Sequence, residues 1–351
     1  MHRPPLTALS VAALAGLVLA GCSSGSHRSS TAPLATAAAA APVAATVPLS
    51  VPPGTTLRVA DQLQVLEQEL SASGQDTKFP YAVQYANFVG GPPMLQAFQA
   101  GAVDIGFVAD TPLIFAQAAR QNIVGVAAWA PQHSSDALVV PPGSTISSWS
   151  QLKNKKVAYQ QGTVLEAVVL QGLHSAGLTL KDITTVNLPT TQISTALQGG
   201  SVDAGLLADP LTSVYLGQHP GARVVERPDD ITDRVTFIIA SKASLTNPGK
   251  EAAIADYLGR LERALTWINN NQATWARDFY VAKYKLPLAL GERLMTETGP
   301  NAFIDLPGSL TAAQQSLADL YLAAGEIPTH LDTSAEFDGR FNAAVDAARG
   351  Q

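Results

Sequence analysis

Five places in this chain join the end of an apolar run to the start of a helix-like pattern, and there its residue types could do chemistry. They are Asp61-Gln62, Gly90-Gly91-Pro92, Asp110-Thr111-Pro112, Gln161-Gly162-Thr163 and Asp209-Pro210. In open α/β sheets ligands collect beyond the C-terminal ends of the strands, where helix N-termini present unpaired N–H groups. Glycines at 90, 91 and 162 let a ligand approach the backbone closely, while Gln62, Thr111 and Thr163 add side-chain donors. Such a set suits a small anion and needs no lysine. Gly90-Gly91-Pro92 is the strongest of the five, because two glycines ahead of a helix make a nest of N–H groups.

Each junction also has a plainer reading. Thr111-Pro112 and Asp209-Pro210 look like ordinary helix starts, a capping oxygen followed by proline, so Asp110 and Asp209 are read as caps more readily than as ligand contacts. Thr163-x-x-Glu166 has the spacing of a capping box, which leaves Thr163 to the helix, the ligand or both. Ser134-Ser135-Asp136 precedes an extended run, and there a hydroxyl such as that of Ser135 could reach a cleft or simply sit in a polar loop. Arg234 could meet an anion or a surface carboxylate.

The elements that must position these residues alternate. Leu57–Ala60, Tyr81–Tyr85, Val103–Ala109 and Val124–Trp129 read as strands, and Gln62–Ser71, Pro92–Ala100 and Pro112–Arg120 read as the helices between them. Val157–Tyr159 and Thr185–Leu188 are strands around a helix at Val164–Ser175, which Gly177 ends. That alternation predicts mainly parallel sheets flanked by helices. Ala137–Val140 and Phe237–Ala240 are extended and would cross between two lobes, residues 55–139 with 240–351 forming one and residues 140–239 the other. After Ala240 the pattern turns helical: Asn247-Pro248 starts a helix with Ile254, Tyr257, Leu258, Leu261, Leu265 and Ile268 at three-and-four spacing, and Thr311-x-x-Gln314 opens another that Gly325 closes.

An internal repeat supports two similar lobes. Ala97–Asp110 realigns on Ala196–Asp209 with eight of fourteen positions identical, each copy reading as helix end, glycine turn, strand and a final aspartate. Asp104 and Asp203 follow the turns and are expected to bond nearby backbone rather than ligand.

Composition narrows the function. The 351 residues are 46% hydrophobic and 14% charged, against about 25% charged in usual domains, so the chain can build a core and is not a disordered one. At roughly 150 residues per domain it holds about two. With 22 Lys plus Arg against 28 Asp plus Glu and a net charge of -6, there is no basic excess for nucleic acid. The six histidines show no metal spacing, and no Walker or zinc-protease pattern appears, so no metal, cofactor or catalytic set is expected.

Residues 1–21 read as an export signal, with His2 and Arg3 ahead of an apolar stretch from Leu6 to Leu19, a run shorter than the roughly 20 residues of a membrane span. Leu19-Ala20-Gly21-Cys22 resembles the bacterial lipobox, which implies lipidation of Cys22; a plain secretory signal is the alternative. Residues 22–54, mostly Ser, Ala, Pro, Gly and Thr, read as a disordered tether.

Together with Gly91-Pro92-Pro93, Ala100–Gly106, Asp110-Thr111-Pro112, Leu152–Ala158, Ala176-Gly177-Leu178, Gly200–Ala204, Asp209-Pro210 and Ala240-Ser241-Lys242, the chain over residues 57–330 resembles the solute-binding proteins of ABC importers for aliphatic sulfonates, taurine and nitrate. The resemblance implies the two-lobed, hinge-closing periplasmic-binding-protein fold of type II. It also implies an extracytoplasmic, membrane-anchored monomer that is not an enzyme and hands a small organic anion to a permease with a cytoplasmic ATPase. A thiamine-precursor pyrimidine as ligand, a ligand-sensing role and a biosynthetic enzyme on the same fold are other readings. Where sulfonate binders usually have Gly-Ser-Ser followed by Ala-His, this chain has Gly162-Thr163-Val164-Leu165-Glu166, and their Trp-Asp-Pro-Tyr becomes Ala208-Asp209-Pro210-Leu211. The replacements predict a larger or more apolar organosulfur ligand.

Overall fold

The computed structural model describes residues 46–48, 50–133, 135–228 and 235–349; the export signal, Cys22, most of the tether and Arg234 lie outside the described residues. In chain order the elements are β1 (Thr56–Gln62), α1 (Val65–Ala72), β2 (Ala82–Phe88), α2 (Gly91–Gln99), β3 (Ile105–Ala109), α3 (Asp110–Ala118), β4 (Ile123–Pro131) and β5 (Ala137–Val140). There follow β6 (Lys156–Tyr159), α4 (Val164–Ser175), β7 (Thr184–Asn187), α5 (Thr190–Gln198), β8 (Ala204–Leu207), α6 (Leu211–Gln218), β9 (Arg223–Val225) and β10 (Thr236–Ser241). The C-terminal part holds α7 (Lys242–Leu245), α8 (Pro248–Asn270), α9 (Gln272–Trp275), α10 (Ala282–Tyr284), α11 (Leu288–Thr298), β11 (Asn301–Ile304), α12 (Leu310–Ala324) and α13 (Asn342–Asp346).

The strands form two sheets, ordered β11-β4-β10-β3-β1-β2 and β7-β6-β8-β5-β9. Both sheets are mixed rather than mainly parallel. β1 runs parallel to β2 and β3, and β6 runs parallel to β7 and β8. β10 runs antiparallel to β3 and β4, and β5 antiparallel to β8 and β9. The reason lies in the connections: β5 follows β4 but pairs in the second sheet, and β10 follows β9 but pairs in the first. A strand arriving from the other sheet is free of the right-handed helical crossover that makes neighbours parallel. Each exchanged strand pairs along its whole length in its new sheet, so the chain changes sheets before Ala137 and again before Thr236.

Side-chain alternation builds the layers. Ile238 and Ala240 face a core with Leu66, Leu70 and the apolar stripe of α8, while Phe237 and Ile239 face another with Met94, Phe98 and Leu113. The expected stripe of α8 is buried throughout, from Ile254 to Ile268, and Asn247 caps it by accepting from the N–H groups of Gly249 and Lys250. The packed body reaches back into the expected tether, because Val47 and Val51 have apolar surface to bury on the first core. The second sheet has its own core around Val157, Leu165, Leu173 and Leu206.

The repeat is a repeat in three dimensions. Gly101 and Gly200 both turn at φ 64°. Asp104 N–H donates to Arg58 O and its Oδ2 accepts from Arg58 N at 2.9 Å; Asp203 N–H donates to Lys156 O and its Oδ2 accepts from Lys156 N at 2.7 Å. The aspartates therefore bond the neighbouring strand, 46 and 47 residues away, not their own turn. Asp203→Ala is expected to lower stability by about 1 kcal/mol, the usual net worth of such a bond, read as a lower urea midpoint with an unchanged slope.

Candidate functional site

Three helix N-termini meet where the two sheets adjoin. α2 begins at Gly91, α3 at Asp110 and α4 at Val164. Gly91 is buried, and a Cβ there would lie 2.5 Å from Pro112 Cγ and 3.9 Å from Gly162 O. A Cβ on Gly162 would lie 3.3 Å from Pro92 Cγ, and one on Gly90, at φ +85°, would lie 3.0 Å from Gln160 Nε2. Glycine at 91 thus lets α2 and α3 start side by side, and glycine at 90 lets the glutamine of the second sheet's rim close on the first. Behind these termini Ile114 of α3, Ala167 and Leu170 of α4, and Leu317, Ala318 and Tyr321 of α12 form one apolar cluster joining the two halves.

The polar atoms at the termini are largely spoken for. Pro92 and Pro93 fall in the first turn of α2 and carry no N–H, so the nest expected at Gly90-Gly91-Pro92 is narrower than its glycines suggest. Asp110 Oδ1 accepts from Thr111 N at 2.6 Å and from Thr111 Oγ1 at 3.1 Å, and Thr111 Oγ1 lies 3.0 Å from Tyr321 Oη. Thr163 makes no capping bond; its hydroxyl donates to Gln160 O at 2.7 Å. Glu166 reaches back instead, its Oε2 accepting from Gly162 N at 2.8 Å, so the Gly162 N–H already has an acceptor within the chain. Asp209 Oδ1 accepts from Ser213 N at 2.9 Å and so caps α6. Gln314 donates to Asp110 O at 3.0 Å and does not close a box on Thr311.

Two buried acids back the cluster. Burial pushes Glu166 up to about 7, the Gly162 N–H opposing the rise and Glu326 adding to it, and Glu166 Oε1 has no hydrogen-bond partner among the described residues. Burial also raises Glu336 to about 8, against the pull of Gln314 and with the push of Asp110. Near neutral pH both are at least partly protonated, which spares an anion at the helix termini two negative neighbours.

The structure therefore brings together Gly90, Gly91, Asp110, Thr111, Gly162 and Thr163. Gln62 stands at the same rim, at the end of β1, and donates to Phe107 O at 2.8 Å. β1 runs through Gln62 because Asp61 and Gln62 pair with Asn87 and Phe88, and α1 starts only after Leu63 and Gln64 turn at positive φ. Asp61 caps α1 through the N–H groups of Leu66 and Glu67. Ser135 is half-buried, and no described contact ties it or Asp209 to the cluster. Of the residues expected to shape the ligand's tail, Val164 and Leu165 are buried in the second core, whereas Ala208 and Leu211 are only partly buried against it.

Sequence reasoning missed Gln160. By strand register Val157 and Ala158 occupy in the second sheet the places of Val59 and Ala60 in the first, which makes Gln160 the counterpart of Gln62. Gln160 Oε1 accepts from Thr190 N at 3.0 Å and Thr190 Oγ1 at 2.8 Å, which turns its amide nitrogen toward Gly90. Asn87 and Asn187 are a second matched pair: Asn87 Oδ1 accepts from Gln64 N and Asn187 Oδ1 from Gln161 N. The signal was present as Val-Ala-x-Gln at 59–62 and again at 157–160.

Residues 85–231 match the family described as NMT1/THI5 like. A relative in Escherichia coli (strain K12), an aliphatic sulfonates-binding protein by name, is 28% identical over 279 residues, 79% of this chain and 86% of its own. Among solved structures, the periplasmic aliphatic sulphonate binding protein SsuA from Escherichia coli superposes with a TM-score of 0.71 at 27% identity, over 81% of this chain and 92% of that one. The alkanesulfonate-binding protein SsuA from Xanthomonas axonopodis pv. citri, bound to MOPS, gives 0.73 at 26% identity, over 82% and 99%. The nitrate-binding protein NrtA from Synechocystis PCC 6803 shares the fold, with a TM-score of 0.65 at 12% identity over 86% of this chain and 91% of its own. The fold is that of the periplasmic binding proteins.

Proposed function

We propose that this chain is the extracytoplasmic substrate-binding component of an ABC importer and captures an aliphatic sulfonate or a related organosulfur anion. The observation that carries the reading is the meeting of the α2, α3 and α4 N-termini between rims from both sheets, in a cluster that holds no side-chain cation among the described residues. Backbone dipoles and hydroxyls suit a singly charged, weakly basic oxyanion, and the likeness to proteins named for sulfonates agrees. Ligand held by both rims favours the state in which they touch, and that differential contact supplies the closure signal. Lobes built on the two sheets would turn about the connections before Ala137 and Thr236. Lipidation at Cys22, a permease with its ATPase as partner, and a monomeric state belong to the same proposal.

A thermal-shift panel tests it. Alkanesulfonates at about 100 times their dissociation constant should add about 2.7 kcal/mol to stability and raise the melting temperature, with Ala208 and Leu211 favouring longer chains over taurine. A response to nitrate or a pyrimidine with none to any sulfonate would overturn the reading.

A further inference from the structure

The opposite edge of the first sheet, at the N-terminal end of β1, carries a cavity of about 460 Å³ that adjoins another of about 390 Å³. Arg58, Asn247 and Lys250 line both. The first is also lined by Arg120, and its one acid is Asp104.

The internal repeat serves as a control for what Asp104 needs. In the second sheet the Asp203 carboxylate bonds Lys156 N and, among the described residues, no side chain. In the first, Asp104 makes the same backbone bond and in addition accepts from Arg58 Nη2 at 2.7 Å and Lys250 Nζ at 2.6 Å, with Ser244 Oγ donating at 2.9 Å. Burial alone would push the Asp104 carboxyl up, but these bonds outweigh it and hold it down at about 2. Two cations on one buried carboxylate exceed what pinning a strand requires, and they leave one positive charge uncompensated. Arg120, exposed and without an ion pair among the described residues, adds a second.

Donors remain as well. Arg58 uses Nε, Nη1 and Nη2 on Asp104 and Gly101 O, and Lys250 uses one of its three hydrogens on Asp104, so both keep N–H groups to spare. The side chains of Arg58 and Lys250 are 35% and 26% exposed, open enough for a ligand to reach them. We infer that Arg58, Lys250 and Arg120 form a second anion site, separate from the sulfonate cleft, that takes a phosphate ester. Guanidinium and ammonium groups recognise a tetrahedral, doubly charged oxyanion, and a cavity this large has room for the organic part. The second cavity is lined by Pro53–Thr56, where the chain enters the body from its N-terminal segment, so the phosphate can come from a lipid head group or from a soluble ester.

The test uses the purified protein with glycerol 3-phosphate as probe at 0.15 M salt, followed by calorimetry with and without saturating alkanesulfonate. Binding is expected in both cases, and Arg120→Ala should weaken it roughly tenfold, as loss of a charged hydrogen bond does. Arg120 is exposed and its loss leaves the fold intact; Lys250→Gln is the second variant and should weaken binding to a similar degree. Co-sedimentation with vesicles containing phosphatidic acid, competed by glycerol 3-phosphate, would assign the lipid source, and binding of the soluble ester alone would assign the other. No binding by the wild type, equal affinity in Arg120→Ala, or displacement by alkanesulfonate would overturn the site.

Discussion

Gly91→Val is expected to abolish capture of an alkanesulfonate and to lower the stability of the protein at the same time. A Cβ at this position falls 2.5 Å from Pro112 Cγ and 2.9 Å from Pro112 Cβ, so the start of α2 must move away from the start of α3. Overpacking of this kind costs about 1–3 kcal/mol, which the melting temperature reports. The displacement also spoils the cluster, because a shift near 1 Å in a positioning element costs on the order of a hundredfold in a preorganised site. A variant that melts lower but binds with wild-type affinity would place the ligand away from the α2 and α3 termini.

The second large effect is a pH dependence of stability carried by buried glutamates. Glu69 and Glu336 are raised to about 8 and Glu166 to about 7, burial being the main cause in each. An unfolded glutamate titrates near 4.3. Between about pH 4.5 and 8 the folded protein therefore keeps protons that the unfolded chain has released, and stability falls as pH rises through that window. Asp104 acts in the opposite sense and in another range: held at about 2, its contribution is complete above pH 4 and is lost as pH falls through 2. Glu166→Gln keeps an acceptor for Gly162 N–H and removes the charge. It should leave stability near pH 4.5 almost unchanged and raise it at pH 8 by on the order of 3 kcal/mol, from about 2.5 units at 1.36 kcal/mol each. Parallel stability curves for the two proteins from pH 4.5 to 8 would show that Glu166 is not held in its protonated form.

How far the sequence reached differs by level. The α8 stripe, the Asn247 cap and the Gly325 stop were readable because each rests on local periodicity or a single turn. The repeat at Ala97–Asp110 and Ala196–Asp209 pointed to paired elements. What it could not convey was that β5 and β10, read as crossings, pair antiparallel in the sheets they enter, since strand direction depends on partners far away in the chain. At the site the glycines were found for an incomplete reason: Gly91 makes room for Pro112, and Gly90 for Gln160, a neighbour contributed from 70 residues on. The capping spacing at Thr163 failed because its hydroxyl turns back to Gln160 O, three residues earlier in the loop, and the one at Thr311 failed because a tertiary partner, Asp110 O, took the Gln314 side chain.

The central claim is that an organosulfur anion sits where the N-termini of α2, α3 and α4 meet, between the rims of both sheets. A crystal of the protein grown with 2-bromoethanesulfonate would test it most directly, because the bromine marks the ligand by its anomalous signal. One anomalous peak within a few ångströms of Gly91, Thr111 and Thr163, with the sulfonate oxygens on backbone N–H groups of the three termini, is the predicted result. A peak only at the Arg58 and Lys250 edge, or none in crystals of a protein shown to bind the compound in solution at that concentration, would contradict it.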